Sequence, residues 1–264
     1  MVYRDLLDSA RLTVELADAD RLWRAAEVVA ETGSTNADLA ARARAGEPEG
    51  LVLAADHQLA GRGRLGRSWS APAGSAVTMS VLLRPDRDPA AWTWLPLLAG
   101  LAVAESLRAL AGVPATLKWP NDVVVDGAKL CGVLAERVDS PEGAACVLGM
   151  GINVHLAADE LPVPTATSLA VLRPDARFVR AEIIGTVLAA LALLYHRWEA
   201  GRDDELAAEY RARCATLGQP VGVLQGDGSV VEGTAVAVDA DGRLVVRTSA
   251  GDRAFAAGDV THLR

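Results

Sequence analysis

The chain has 264 residues, 51% of them hydrophobic, which is enough for one large core with a small appended domain and excludes a disordered chain. Acids outnumber bases 34 to 26, a net charge of −8, which argues against broad binding to a nucleic-acid backbone because that needs a basic face. Cys131, Cys146 and Cys214 are odd in number and far apart, which speaks against a disulfide framework or a paired-cysteine metal site and for a reducing cytoplasm.

The N-terminus carries acids where a secretory signal would be basic and then apolar, and every long apolar stretch is interrupted by charges or turn formers, so no membrane partner is expected. Residues 1–30 predict two short helical pieces around Leu6 and Leu12 and a segment through Trp23 and Val28, with no recognition helix. Ser34 or Thr35 caps a helix over 37–45 that Gly46 and Pro48 close, and a strand follows over 51–57. Residues 61–75, rich in glycine, arginine and proline, form a loop before an apolar strand over 76–83. The Leu- and Ala-rich span 92–111, stopped by Gly112 and Pro114, is a buried helix packed on the sheet.

Strands are predicted over 115–119, 123–126, 129–137 and 144–155, with Asp126-Gly127 as a hairpin turn. Ile184, Val187, Leu188, Leu191 and Leu194 repeat at helical spacing, as do Leu206, Tyr210, Cys214 and Leu217. From Gln219 onward short Val-rich strands with turns at Asp227-Gly228 and Asp241-Gly242 indicate a small β-barrel. The expected fold is therefore α+β: a mixed, mostly antiparallel sheet with helices packed on one face over residues 1–216, and a β-rich domain over 217–264. A sheet edge near the hairpin is a surface on which a second copy can pair to form a homodimer.

Gly61-Arg62-Gly63-Arg64-Leu65-Gly66 matches G-x-G-x-x-G, but Pro72, Gly74 and then a strand follow where a dinucleotide fingerprint requires a helix. A P-loop fails as well, since neither Lys-Ser nor Lys-Thr follows the last glycine. What remains is a flexible loop whose Arg62, Arg64 and Arg67 can grip carboxylate or phosphate oxygens in pairs. Trp69 beside it either stacks on a purine or belongs to the core. Lys118-Trp119-Pro120-Asn121-Asp122 places an amide and a carboxylate at a proline-fixed bend. Two-residue alternation puts Lys129 on one strand face with Cys131 and Val133, and Gly132 on the other, where a ligand can approach. Gly149-Met150-Gly151-Ile152-Asn153 ends a strand on an amide able to read adenine or ribose. His57, His155, His196 and His262 do not cluster in sequence, so neither a metal site nor a triad is indicated.

Taken in order, Ser34-Thr35-Asn36, Gln58, the Gly-Arg-Gly-Arg-x-Gly-Arg-x-Trp run, Lys-Trp-Pro-Asn-Asp, the stretch from Lys129 to Glu136 and Gly-x-Gly-Ile-Asn closely resemble the biotin-protein ligases. The resemblance covers residues 25–200 as a class II synthetase-like catalytic domain and the last stretch as an SH3-like domain. It implies the form without an N-terminal winged helix-turn-helix, hence no repressor activity and no nucleic-acid partner. It further implies that ATP adenylates biotin to biotinyl-5′-AMP and that biotin then passes to a lysine on the biotin carboxyl carrier domain of an acyl-CoA carboxylase.

By the same resemblance Lys129, Arg64 and Arg62 are catalytic, and Ser34, Thr35, Asn36, Gln58, Arg62, Gly63, Arg64 and Lys129 bind biotin. Arg64, Arg67, Trp69, Asn121, Asp122 and Asn153 form the ATP side, with Mg²⁺ at the departing pyrophosphate and Asp122 acting through that ion or on the incoming lysine. A lipoate- or octanoate-transferring enzyme is the nearest rival, and it should lack both the arginine loop and the Ser-Thr-Asn segment. A non-catalytic regulator would need a DNA-reading element or a basic face, and neither is visible.

Overall fold

The structure is a computed structural model that describes residues 4–17 and 20–263. In chain order, α1 (Ser9–Ala17), β1 (Ala25–Thr32), α2 (Thr35–Arg44) and β2 (Leu51–Gln58) lead to a miniature hairpin of β3 (Gly61–Arg62) and β4 (Ser68–Trp69). Then come β5 (Ala76–Leu83), α3 (Trp94–Ala111), β6 (Thr116–Lys118), β7 (Asp122–Val125), β8 (Ala128–Ser140) and β9 (Gly143–Asn153). Helices α4 (Leu169–Leu172), α5 (Arg180–Glu199) and α6 (Asp203–Arg213) precede five short strands. These are β10 (Pro220–Leu224), β11 (Val230–Val238), β12 (Leu244–Thr248), β13 (Gly251–Phe255) and β14 (Asp259–His262).

The large sheet has seven strands in the order β1-β2-β5-β9-β8-β7-β6. Only β1 and β2 run parallel, because α2 carries the chain back between them; the other pairs are antiparallel. Strand alternation gives each face its own core. Val52, Ala54, Val81, Leu83 and Leu148 face α3 and α5, whereas Leu51, Leu53, Leu82, Val138, Ala145 and Val147 face α2. Helix α2 thus lies on the face opposite α3 and α5, beyond the single helix-covered face that the sequence suggested. By length and composition, residues Pro89–Ala111 would also suit a membrane span, but their apolar side chains are used in the core. Leu97, Leu98, Leu101 and Leu107 are each buried there, each contributing about 2 kcal/mol on removal from water.

At the N-terminus Leu12 and Leu16 of α1 are buried, while Leu6 is exposed and belongs to no helix. The segment through Val28 is the edge strand β1. Just before α1, Asp5 meets Arg180, which is fully buried, at 3.1 Å and His155 at 2.9 Å. Burial alone would raise the Asp5 pKa, but the hydrogen bond from His155 and the Arg180 charge outweigh it and hold the carboxyl at about 2.

The last five strands form an antiparallel sheet in the order β13-β12-β11-β10-β14 around Val221, Val223, Ala235, Leu244, Val246 and Val260. Its turn at residues 239–243 seats on the start of α3 and on the bend after β6. Trp94 Nε1 donates to Ala240 O at 2.7 Å and Trp119 Nε1 to Gly242 O at 3.0 Å, so the two indoles are buried without losing their hydrogen bonds. Gly242 has φ 74°, and a Cβ there would sit 2.9 Å from Leu97 Cδ1. Gly242→Val should therefore cost about 2 kcal/mol or more through left-handed strain and the clash. Urea unfolding checks this; an unchanged midpoint would show that the seam yields freely.

Candidate active site

The site lies on the α2 face of the sheet, where side chains are missing. Gly149 and Gly151 of β9 and Gly132 of β8 point to this face, with Gly132 paired opposite Gly151. A Cβ at Gly149 would fall 2.1 Å from Asn36 Oδ1, and one at Gly151 would fall 2.5 Å from the Trp69 ring. The glycines thus form a floor on which an amide and an indole rest directly against backbone.

Lys129 reaches this floor by a route that two-residue counting misses. Val123 pairs with Cys131 and Val124 with Lys129, so β8 carries one extra residue, Leu130, opposite a single step of β7. This β-bulge turns Lys129 onto the face of Gly132, with its Cε and Nζ 3.0 Å from the Cβ position of Gly132, and leaves Cys131 fully buried on the other side. The expected grouping of Lys129 with Cys131 is corrected accordingly. Asp122 opposes Gly132 across β7 and β8 and binds Lys129 Nζ at 2.6 Å.

At one end of the floor, Ser34, Thr35 and Asn36 form the buried N-terminal turn of α2, with Ser34 at the N-cap. Gln58 Oε1 accepts from the Thr35 N–H at 2.8 Å, the Thr35 hydroxyl lies 2.7 Å from Ser80 Oγ, and Ser80 donates to Asn36 Oδ1 at 2.6 Å. Above it the arginine loop is the turn of the β3–β4 hairpin, closed by Gly63 N–H donating to Arg67 O at 2.6 Å. No helix opens there; a 3₁₀ turn over Arg64–Gly66 leads into a strand, so a pyrophosphate-binding helix N-terminus is absent from this loop.

Ser34, Thr35, Asn36, Gln58, Arg62, Gly63, Arg64, Arg67, Trp69, Asn121, Asp122 and Lys129 all line one cavity. Its volume, about 130 Å³, is below the roughly 300–1,000 Å³ usual for small-molecule sites. Asn153 is not among the lining residues. It lies two residues past Gly151, buried, with its amide donating to Thr167 O at 2.9 Å, so the structure does not bring it to the other nucleotide-side candidates.

The cations are held in different ways. Arg62 meets Glu136 at 3.0 Å and Arg67 meets Asp259 at 2.9 Å. Arg64 donates instead to neutral oxygens, Asn121 Oδ1 at 3.0 Å and Gly258 O at 3.1 Å. Burial lowers its pKa from the usual arginine value, opposed by the Asp259 and Asp122 charges. A half-buried guanidinium without a bonded carboxylate is the cation that can turn to an incoming anion at least cost.

Ser80, Glu136 and Asp259 belong to this network without having been assigned a role from sequence. Glu136 sits within the motif that begins at Lys129, and its place four residues after Gly132 puts it on the same strand face. Nothing local marks Ser80 or Asp259. The three cysteines are free and buried, and the described residues contain no group of three or more potential metal ligands.

Residues 28–153 match the biotin/lipoate A/B protein ligase family, and residues 216–263 match the biotin protein ligase C-terminal domain. The chain is 45% identical to the biotin–[acetyl-CoA-carboxylase] ligase of Mycobacterium tuberculosis over 99% of its length and 97% of that protein. It is 35% identical to the corresponding ligase of Paracoccus denitrificans, over 88% of this chain and 98% of that one. Among solved structures, a biotin protein ligase from Aquifex aeolicus in complex with biotin and ATP superposes with a TM-score of 0.79 at 28% identity, covering 92% of this chain and all of that one. With the arginine loop and Lys129 meeting over one glycine floor, the chain belongs to the biotin protein ligase family.

Proposed function

We propose that this biotin protein ligase joins biotin to AMP in the cavity shared by Arg64 and Lys129, and then passes biotin to a carrier-domain lysine. The observation that carries this is the meeting of those two cations between a buried polar end, Ser34 to Asn36 with Gln58, and an indole on a glycine floor. Two functions distinguish the ends. Ser34, Thr35, Asn36 and Gln58 would supply partners to a buried ureido ring, whose polar groups cost about 1–3 kcal/mol each when left unpaired. Trp69, Asn121 and Asp122 form the nucleotide side, with the indole offering a stacking face.

A carboxylate and a triphosphate repel each other, and the reaction needs them in contact. Arg62, Arg64 and Lys129, helped by Arg67, screen that repulsion and stabilise the charge that builds up as the carboxylate oxygen bonds to the α-phosphorus and pyrophosphate leaves. In the second step the acceptor amine attacks the biotinyl carbonyl carbon, AMP departs with the bonding electrons, and Asp122 is placed to receive the amine proton. Arg64 over the anhydride excludes water that would hydrolyse it.

Asp122 and Asp259 are the carboxylates lining the cavity, which fits an Mg²⁺ ion held mainly by substrate phosphates with Asp122 as the protein ligand. That ion would neutralise charge on the departing pyrophosphate. We assign residues 1–216 to catalysis and 217–264 to a domain that braces the loop. The acceptor is the carrier domain of an acyl-CoA carboxylase, as the names of the relatives indicate, and the reaction belongs in the cytoplasm. A homodimer at a sheet edge would not use β6, whose Leu117 already bridges Cys214 and accepts from the Ala215 N–H. The test is to measure biotin-dependent exchange of pyrophosphate into ATP, then transfer of label to an isolated carrier domain. Exchange driven equally well by lipoate or octanoate would overturn the reading in favour of the other branch of the family.

A further inference from the structure

We propose that Glu136 is a positioning residue for biotin, one carboxylate that couples the ring-reading turn of α2 to the arginine loop. Its Oε2 accepts from Asn36 Nδ2 at 2.7 Å and from Arg62 Nη2 at 3.0 Å, bridging two segments that otherwise approach the cavity from different elements. Gly132, Leu134 and Glu136 alternate on one face of β8, so the strand that carries Lys129 also carries this tie.

The tie fixes which way the Asn36 amide points. Its nitrogen donates to Glu136 and, at 3.3 Å, to Leu134 O, while its oxygen accepts from Ser80 Oγ at 2.6 Å. The reversed amide would set its oxygen against a carboxylate and a carbonyl, both acceptors, so the charge on Glu136 selects one orientation. Gly149 leaves the room that this orientation needs, since a Cβ there would lie 2.1 Å from Asn36 Oδ1. Both amide hydrogens of Asn36 are thereby engaged, and its Oδ1 keeps one acceptor position beyond the bond from Ser80.

Arg62 is placed by the same oxygen. Its side chain is 44% exposed and that of Glu136 30% exposed, so the ion pair contributes little to folding stability. What it contributes is geometry: Glu136 holds the first strand of the loop beside Asn36, in the turn where the ring is read. The effect of Glu136 should therefore fall on biotin and largely spare ATP.

This inference rests on the biotin reading of the site, and the experiment separates the two. Glu136→Gln keeps the size of the side chain and one acceptor oxygen, but it removes the charge that strengthens both hydrogen bonds. Expected are a KM for biotin raised about tenfold or more, a KM for ATP and a kcat within about threefold of the parent, and an unchanged melting temperature. In an Asn36→Ala, Arg62→Ala background the same change should add nothing further, because its partners are gone. An unchanged biotin KM, equal increases for biotin and ATP, or a full effect persisting in that background would overturn the positioning role. Calorimetric titration of the unaltered protein with biotin is the second arm. Absence of binding there would overturn both this role and the function it rests on, whereas binding that Glu136→Gln leaves intact overturns the role alone.

Discussion

Lys129→Ala is expected to lower biotin-dependent pyrophosphate exchange by a factor on the order of 10²–10³, the usual loss when one preorganised donor to a developing negative charge is removed. The bulge at Leu130 sets this lysine beside Gly132, in the cavity and outside both core clusters, and its side chain is 36% exposed. The fold should therefore survive, with circular dichroism and melting temperature close to those of the parent. Lys129→Arg should recover little. A planar fork would not reproduce the single ammonium that lies against Gly132 and pairs with Asp122 at 2.6 Å. The acid beside it gives a second readout: Asp122 loses its partner at 2.6 Å, so transfer from preformed biotinyl-AMP should fall as well. An alanine variant that exchanges pyrophosphate at the parental rate would remove Lys129 from the mechanism.

Arg64→Gly should act on retention more than on formation. The arginine is pinned by Asn121 and Gly258 through neutral hydrogen bonds, so it is free to exchange these for an anion when the adenylate forms. Charge-assisted hydrogen bonds of this kind contribute about 1.5–3 kcal/mol, so the adenylate should leave one to two orders of magnitude faster without them. Free biotinyl-AMP would then acylate lysines of bystander proteins, detected by labelling albumin included in the assay. Adenylate that stays bound as tightly as in the parent would show that the loop does not cover it. Loss of Arg64 also cuts the contact to Gly258, just before β14, and leaves the ion pair of Arg67 with Asp259.

Much of the fold was legible from local pattern, because helix and strand periodicities and turn residues act over a few positions. The Asp126-Gly127 turn is an example: both residues have positive φ, 49° and 79°, as a tight two-residue hairpin requires. The strand over 76–83 and the buried helix ending at Gly112 were likewise fixed by their own residues. The arginine loop could be separated from a dinucleotide fingerprint because Pro72 and Gly74 forbid the helix that fingerprint needs.

The sequence by itself determined which chemical groups are available: three arginines on a glycine-rich turn, a lysine after a hairpin, and a hydroxyl-amide segment at a helix start. Only the tertiary structure decided how they face one another. The bulge that turns Lys129 away from Cys131 depends on how β8 pairs with β7, and nothing in the spacing of residues along one strand reports an extra residue opposite its partner. Asn153 stands in a run of motif residues, yet the amide is spent on Thr167 once the chain closes over it. The partners that hold the loop, Glu136 at 74 residues from Arg62 and Gly258 at 194 from Arg64, come near only when the sheet and the C-terminal strands are assembled. Periodicity and propensity are local, while the pairing of charges across a site is set by the whole topology.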